Sequence, residues 1–150
     1  ARGADVLAGL AIAAPGADGS LHAAAHGGVL GFARLLLALG TDVNAVDGAH
    51  ATALHYAAAA GHLAIVRELL DARAHIEVRD CHEQTPLHYA ASGESSAVVR
   101  ALMECGADPR AMDASGDTPL SLALQARKHQ IAIVMVEPRY EKKRPDECKP

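Results

Sequence analysis

The chain has few of the residues that fill a large hydrophobic core. Its 150 residues include no Trp, and aromatic side chains make up only 3% of them, although hydrophobic residues as a class reach 50%. Much of that apolar content is alanine, which buries little surface but lets helices approach each other closely. The fold must therefore be stabilised by many contacts that each bury little surface, rather than by a few large side chains.

Charge, hydropathy and cysteine content exclude several classes of protein. The formal net charge of −4 provides no basic footprint, so we expect no nucleic-acid partner. No apolar run reaches the length of a membrane span, so we expect no membrane partner. Three widely spaced cysteines argue against a disulfide framework and favour a reducing compartment, the cytoplasm or the nucleus. Because the chain does not begin with Met, we expect an excerpt of a longer protein or a processed chain.

A tetrapeptide recurs along the chain with a period of 33 residues. Leu54-His55-Tyr56-Ala57 reappears as Leu87-His88-Tyr89-Ala90, and the same register contains Leu21-His22-Ala23-Ala24 and Leu120-Ser121-Leu122-Ala123. A fixed period of this length indicates a stacked repeat protein. Such a protein offers a long surface for partners rather than a closed pocket for chemistry.

Each unit of this period predicts two helices. In the second unit, Thr52 has the N-cap position, a first helix is predicted over residues 54–60, and a second over 63–72 after a short break. The third unit repeats the pattern, with Pro86 at the first helical position and Gly106 as the left-handed residue at the C-terminal cap.

These motifs resemble the ankyrin repeat family, whose unit combines a turn, a Thr-Pro-Leu-His helix start and two helices. The matching segments are Thr85-Pro86-Leu87-His88-Tyr89-Ala90, Gly61-His62-Leu63 and Gly106-Ala107-Asp108. The resemblance implies an all-α ankyrin-repeat solenoid of helix-turn-helix units with projecting turn fingers. The expected organisation is an N-terminal flank or repeat remnant at 1–13, four repeats at 14–46, 47–79, 80–112 and 113–139, and a charged tail or linker at 140–150.

The same resemblance implies a non-catalytic module that binds a helix or an extended segment of another protein, as a scaffold or adaptor does. Its fingers and first helices would line a concave face for that partner. By register, the finger residues are Val46, Ala49, Ala51, Arg79, His82, Gln84, Met112, Ser115 and Asp117. The first-helix residues are Ala60, Ser92 and Gln125. The alternative is a structural segment of a longer solenoid whose partner site lies elsewhere.

The histidines and cysteines do not form a recognisable catalytic or metal motif. His22, His55 and His88 occupy the repeat's own histidine position, where the resemblance implies a hydrogen bond to the backbone of a neighbouring turn. A surface metal site near Cys81 and His82 would lack the paired spacing typical of zinc ligands, even with His50 added. Cys81 and His82 are adjacent on a turn, and adjacent side chains there usually diverge. We therefore predict no enzyme activity, no metal and no cofactor.

Two short motifs have competing interpretations. Asn44 follows Leu36 and Asp42 at a spacing that resembles the motif hydroxylated in ankyrin repeats by an oxygen-sensing asparaginyl hydroxylase. The favoured alternative is a turn Asn that hydrogen-bonds its own backbone. Lys142-Lys143-Arg144 resembles part of a nuclear localisation signal, but a solvated stretch of a mixed tail is the favoured interpretation.

Two further features depart from the repeat pattern. The fourth position of the turn is Gly116 in the last repeat but His50 and Glu83 in the two before it, so those turns either hold a non-glycine residue at positive φ or adopt another geometry. The last helix is apolar nearly all round, with Ile133 at the position that is arginine in the earlier repeats. We expect Ile133 and Val134 to be partly exposed, and self-association through this helix.

Overall fold

The computed structural model describes residues 18–137, and of Asp18 and Gly19 only the helical backbone. The predicted flank at 1–13, the tail at 140–150 and its basic run at 142–144 lie outside the described residues. Within residues 18–137 the chain forms helices and no strand. The helices are α1 (Asp18–Gly27), α2 (Leu30–Ala38), α3 (Ala53–Ala60), α4 (Leu63–Asp71), α5 (Pro86–Ala91), α6 (Ser96–Glu104), α7 (Pro119–Gln125) and α8 (His129–Val136). The all-α repeat prediction is confirmed, and each of the two helices predicted for the second repeat differs from the observed helix by one residue at one end.

The helices lie in two layers. The first helices of the repeats, α1, α3, α5 and α7, stack on one another as an inner layer. The second helices, α2, α4, α6 and α8, form an outer layer, and each packs against the first helix of its own repeat. None of these helices is long and apolar enough to cross a bilayer.

Alanine forms the contacts of the inner layer, as the composition predicts. Ala57, Ala58, Ala90 and Ala91 are buried between neighbouring inner helices. The close approach is visible at Gly93, where a Cβ atom would lie 2.8 Å from the carbonyl oxygen of Ala59. Larger buried apolar side chains come from both layers. The inner helices contribute Leu21, Leu54 and Leu87, and the outer helices contribute Leu36, Val66, Leu69, Val98, Val99 and Leu102. At the alanine positions the inner helices leave no room for larger groups.

Threonine and its partner three residues later begin each inner helix from the second repeat onward. The amide of Thr52 donates to His55 Nδ1 at 3.0 Å, and the amide of Thr85 donates to His88 Nδ1 at 3.1 Å. This is a capping box in which histidine takes the position usually held by Glu or Gln. The histidine of the tetrapeptide therefore determines where the inner helix begins.

The helix ends follow the glycine pattern only in part. Gly106 has a φ of +99° after α6, as predicted for a left-handed cap residue. The equivalent residue after α4 is Arg73, which has a φ of +68°. The stacking of the repeats thus imposes the left-handed conformation even where glycine is absent.

Candidate protein-binding face

Three turns project from the inner layer, and an aspartate builds each of them. We call residues 46–51, 79–84 and 112–117 the first, second and third fingers. In the second finger, Asp80 Oδ1 accepts hydrogen bonds from the amides of His82 and Gln84, both at 2.9 Å. Asp47 and Asp113 make the equivalent pairs of bonds in the other two fingers. The carboxylate holds the turn closed in every case.

The fingers are hydrogen-bonded to one another. The amide of Cys81 donates to the carbonyl oxygen of Ala49 at 2.8 Å, and the amide of Ala114 donates to that of His82 at 3.0 Å. These backbone bonds join three separate turns into one edge. A partner therefore meets turns whose backbones are already fixed relative to one another.

A histidine beneath each finger links one repeat to the next. Nε2 of His22, His55 and His88 lies 2.7, 3.0 and 3.0 Å from the carbonyl oxygens of Ala51, Gln84 and Asp117, respectively. Each bond spans 29 residues and reaches the finger of the following repeat. This confirms the structural interpretation of the tetrapeptide histidines.

The hydrogen bonds of His55 define its tautomer. Its Nδ1 accepts from the Thr52 amide, so Nε2 carries the proton and donates it to the Gln84 carbonyl. Burial lowers the pKa of His55, and the hydrogen bond to Gln84 opposes that shift only in part. The imidazole is therefore held neutral in the fold.

Tyr56 and Tyr89 complete the inner side of the finger edge. The Tyr89 hydroxyl donates to Asp80 Oδ2 at 2.5 Å, and the Tyr56 hydroxyl donates to Asp47 Oδ2 in the same way. Burial raises the pKa of the Asp80 carboxyl, but the hydrogen bonds from Tyr89 and from two finger amides outweigh it, and the net pKa is lowered. The bond to Asp47 raises the pKa of Tyr56 to about 12. Both tyrosines are thus held as neutral donors to the aspartates that build the turns.

The tyrosine rings also shape the inner face. The ring of Tyr56 meets that of His22 edge to face, with centroids 5.5 Å apart, and His55 and Tyr89 form a similar pair at 4.8 Å. His22, Ala23, His26 and Tyr56 line a surface pocket of about 270 Å³. The sequence analysis did not place the tyrosines at the candidate face, although the repeated tetrapeptide contains both of them.

Comparison with known protein families agrees with the repeat geometry. A family model described as ankyrin repeats in three copies matches residues 10–80 and again residues 73–146. The chain belongs to the ankyrin repeat family. Ankyrin repeats are generally protein–protein interaction modules and are typically non-catalytic. A search of curated proteins found no match to the chain.

Most of the residues predicted to contact a partner lie at the surface of this ankyrin stack. Exposed finger residues are Val46, Arg79, His82, Met112 and Ser115, and exposed residues at the ends of the inner helices are Ala60, Ser92 and Gln125. Ala49, Gln84 and Asp117 are half-buried. These residues thus lie on the fingers and at the adjoining ends of the inner helices, as their positions in the repeat predict.

Ala51 does not belong to this surface, and its prediction as a contact residue is wrong. The side chain is fully buried. Its amide donates to Asp47 Oδ1, and its carbonyl accepts from His22. Both backbone groups are used within the stack, which holds the residue at the inward base of the first finger.

Arg79 and Gln84 connect fingers as well as line them. Arg79 Nη1 donates to the carbonyl oxygens of Met112 at 2.7 Å and Glu83 at 3.2 Å. Gln84 Nε2 donates to Asp113 Oδ2 at 3.1 Å. Substitution of either residue will remove a hydrogen bond between the second and third fingers, in addition to removing a side chain that could contact a partner. The side chain of His82 makes no hydrogen bond to another described residue, so it is the cleaner probe of the surface.

Two finger tips hold non-glycine residues in the left-handed region. His50 has a φ of +59° and Glu83 a φ of +61°, whereas Gly116 has +82° at the equivalent position. The structure therefore has the first of the two alternatives that the sequence left open, a non-glycine residue at positive φ. A non-glycine residue in this region costs on the order of 1 kcal/mol.

We expect Glu83→Gly to raise the free energy of unfolding by about 0.5 kcal/mol, because relief of the strained φ exceeds the added freedom of the unfolded chain. The loss of the ion pair with Arg79 is small, since its two atoms are 3.8 Å apart and both side chains are exposed. Urea unfolding will measure the change, with His50→Gly expected to act in the same direction.

Cys81→Gly is the matched control for this substitution. Cys81 is exposed in the same finger but is not among the residues with positive φ. Glycine at position 81 adds only unfolded-state freedom, so this variant should be destabilised. Equal destabilisation of both variants would show that the tip of the second finger is not strained.

The Asn44 side chain hydrogen-bonds the backbone of the next repeat rather than the backbone of its own turn. Its Oδ1 accepts from the amide of His75 at 2.7 Å, and its Nδ2 lies 3.5 Å from the carbonyl oxygen of Arg73. Glu77 takes the same position one repeat later, where its Oε1 accepts from the amide of Asp108 at 2.8 Å. The expected bond to the residue's own turn is therefore wrong, and hydroxylation of Asn44 stays a prediction.

The described part of the chain, residues 18–137, contains no group of three His, Cys, Asp or Glu residues that could hold a metal ion. His50, Cys81 and His82 do not come together as such a group in their fingers.

Proposed function

We propose that this ankyrin stack binds a helix or an extended segment of another protein along the finger edge and the adjoining inner helices. The hydrogen-bonded edge is the observation that supports the proposal most strongly. Because backbone bonds between fingers fix the turns before a partner arrives, little free energy is spent on ordering the backbone during association. A loose set of three turns would have to be ordered first.

The side chains along the edge fit a partner with both apolar and polar groups. Val46 and Met112 are 39% and 60% exposed at equivalent positions of the first and third fingers, and Arg79 lies between them in the register. Methionine adapts its shape to an irregular partner, and arginine supplies directed hydrogen-bond donors. Ala60 and Ser92 are small, so a partner segment can approach the inner helices closely.

Capture of partners from a lysate by the immobilised chain tests the proposal. We expect His82→Ala and Met112→Ala together to reduce capture by about tenfold or more, because central contacts carry most of the binding free energy. The melting temperature should change little, since neither side chain is buried. Quantitative mass spectrometry of the captured proteins measures the loss.

Arg67→Ala and Arg100→Ala are the matched controls. Both side chains are exposed on the outer helices, where they line a pocket of about 210 Å³ between α4 and α6. Their removal should leave capture unchanged. If the arginine variants lose the captured proteins and the finger variants keep them, the partner lies on the outer face and the proposal is wrong.

The second candidate is a structural segment of a longer solenoid, with its partner site elsewhere. The exposure of Val136 favours it, because the equivalent Leu37, Leu70 and Met103 of the earlier repeats are half-buried or buried, whereas the finger edge has no role in it. A chain that captures no protein with either its finger edge or its outer face would support this candidate. For both candidates we propose a scaffold or adaptor role in the cytoplasm or nucleus.

A further inference from the structure

The end of the stack formed by α7 and α8 exposes apolar side chains that the earlier repeats cover. Leu124 is 58% exposed, whereas the equivalent Ala25, Ala58 and Ala91 are buried. Val136 is 62% exposed, and Leu120 is half-exposed although its equivalent in each earlier repeat is buried. We call Leu120, Leu124 and Val136 the end face.

Position in the repeat explains the exposure. In the first three repeats the inner and outer helices pack against those of the following repeat, so the end face corresponds to one half of an interface that occurs three times within the described chain. Val134 differs from expectation, because it is buried rather than partly exposed. Ile133 is exposed, as predicted, but at the outer position that is arginine in the earlier repeats.

A further repeat stacked in the same register does not fit this face well. It would have to accommodate a leucine at position 124, where the three internal interfaces have alanine. The equivalent Ala25, Ala58 and Ala91 are already fully buried, and near them even a Cβ atom added at Gly93 would lie 2.8 Å from the carbonyl oxygen of Ala59. Overpacking of this kind is destabilising.

The segment 138–150 is also a poor cover for the end face. Eight of its thirteen residues are charged, and Tyr140 is its only aromatic residue. Such a composition offers little apolar surface to bury against Leu124 and Val136. A cover that matches the face must be apolar where the face is apolar.

We propose that the end face binds the end face of a second copy of this chain, forming a closed two-fold dimer. A two-fold axis brings Leu120, Leu124 and Val136 against the same residues of the other copy, so that apolar groups meet apolar groups. Arg127 and Glu137 flank the two ends of α8 with opposite charge. An antiparallel approach of two α8 helices therefore places unlike charges together.

Sedimentation equilibrium of the full chain across the micromolar to millimolar range tests the dimer. We expect a monomer–dimer equilibrium, and we expect Leu124→Glu to raise its dissociation constant by about tenfold or more. Leu39→Glu is the matched control, because Leu39 is 57% exposed but lies in the first repeat, away from the end face. Circular dichroism will establish that both variants remain helical, and Leu124→Ala provides a milder variant of the same position.

Three results would overturn the proposal. The first is a wild-type chain that stays monomeric at millimolar concentration. The second is equal weakening by Leu124→Glu and Leu39→Glu. The third is a mass that rises without limit, because head-to-tail stacking forms open chains rather than a closed dimer.

Discussion

Replacing His55 with alanine will lower the free energy of unfolding by about 3–5 kcal/mol. The imidazole is fully buried and uses both of its nitrogens, accepting from the Thr52 amide and donating to the Gln84 carbonyl, each at 3.0 Å. Alanine leaves the Thr52 amide without a partner, which costs about 1–3 kcal/mol when buried, and it leaves the Gln84 carbonyl with only its bond from the Asp80 amide. The space left by the ring adds a cavity cost.

His82→Ala is the control for this prediction, because His82 is exposed on the second finger. Urea unfolding of both variants, followed by circular dichroism, measures the difference. A loss for His55→Ala below about 1 kcal/mol would mean that water or a neighbouring group replaces the imidazole. The histidines would then not connect one repeat to the next.

Replacing Ala91 with leucine will lower the free energy of unfolding by about 1–3 kcal/mol through overpacking. Ala91 is fully buried in α5, where the inner helix of the next repeat covers it. The equivalent residue in the last repeat is Leu124, which is tolerated because no repeat of the described chain packs over it. The same side chain is therefore tolerated in the last repeat and destabilising at the same register position of the third repeat.

Ala60→Leu provides the control on the open side of the inner layer. Ala60 is exposed at the end of α3, so the added side chain enters solvent and should change the stability by less than about 0.5 kcal/mol. Thermal unfolding of the two variants gives the comparison. Equal destabilisation would mean that the assigned register does not describe the packing.

The sequence predicted the helices and their caps because these depend on short stretches of chain. Thr52, Pro86 and Gly106 act within their own turns, and each has the predicted position. The 33-residue period then carries that local information from one repeat to the next. This is why the paired helices could be predicted without coordinates, whereas the bond from each histidine to the next repeat was implied by the resemblance to ankyrin repeats.

Contacts between repeats could not be predicted in the same way. Arg79 reaches the carbonyl of Met112, and Asn44 reaches the amide of His75, across 33 and 31 residues. Each bond depends on how far one repeat rotates over the next, and a periodic sequence does not specify that rotation. Burial of Ala51 has the same origin, since its carbonyl accepts a hydrogen bond from His22 of the preceding repeat.

Amide hydrogen exchange of the chain, alone and with a captured protein bound, tests the central claim most directly. Binding along the finger edge should slow exchange in residues 46–51, 79–84 and 112–117 and at the ends of α3, α5 and α7. Exchange in the exposed turns of α4 and α6 should stay unchanged. Slower exchange confined to the outer helices, with the three fingers unaffected, would contradict the account.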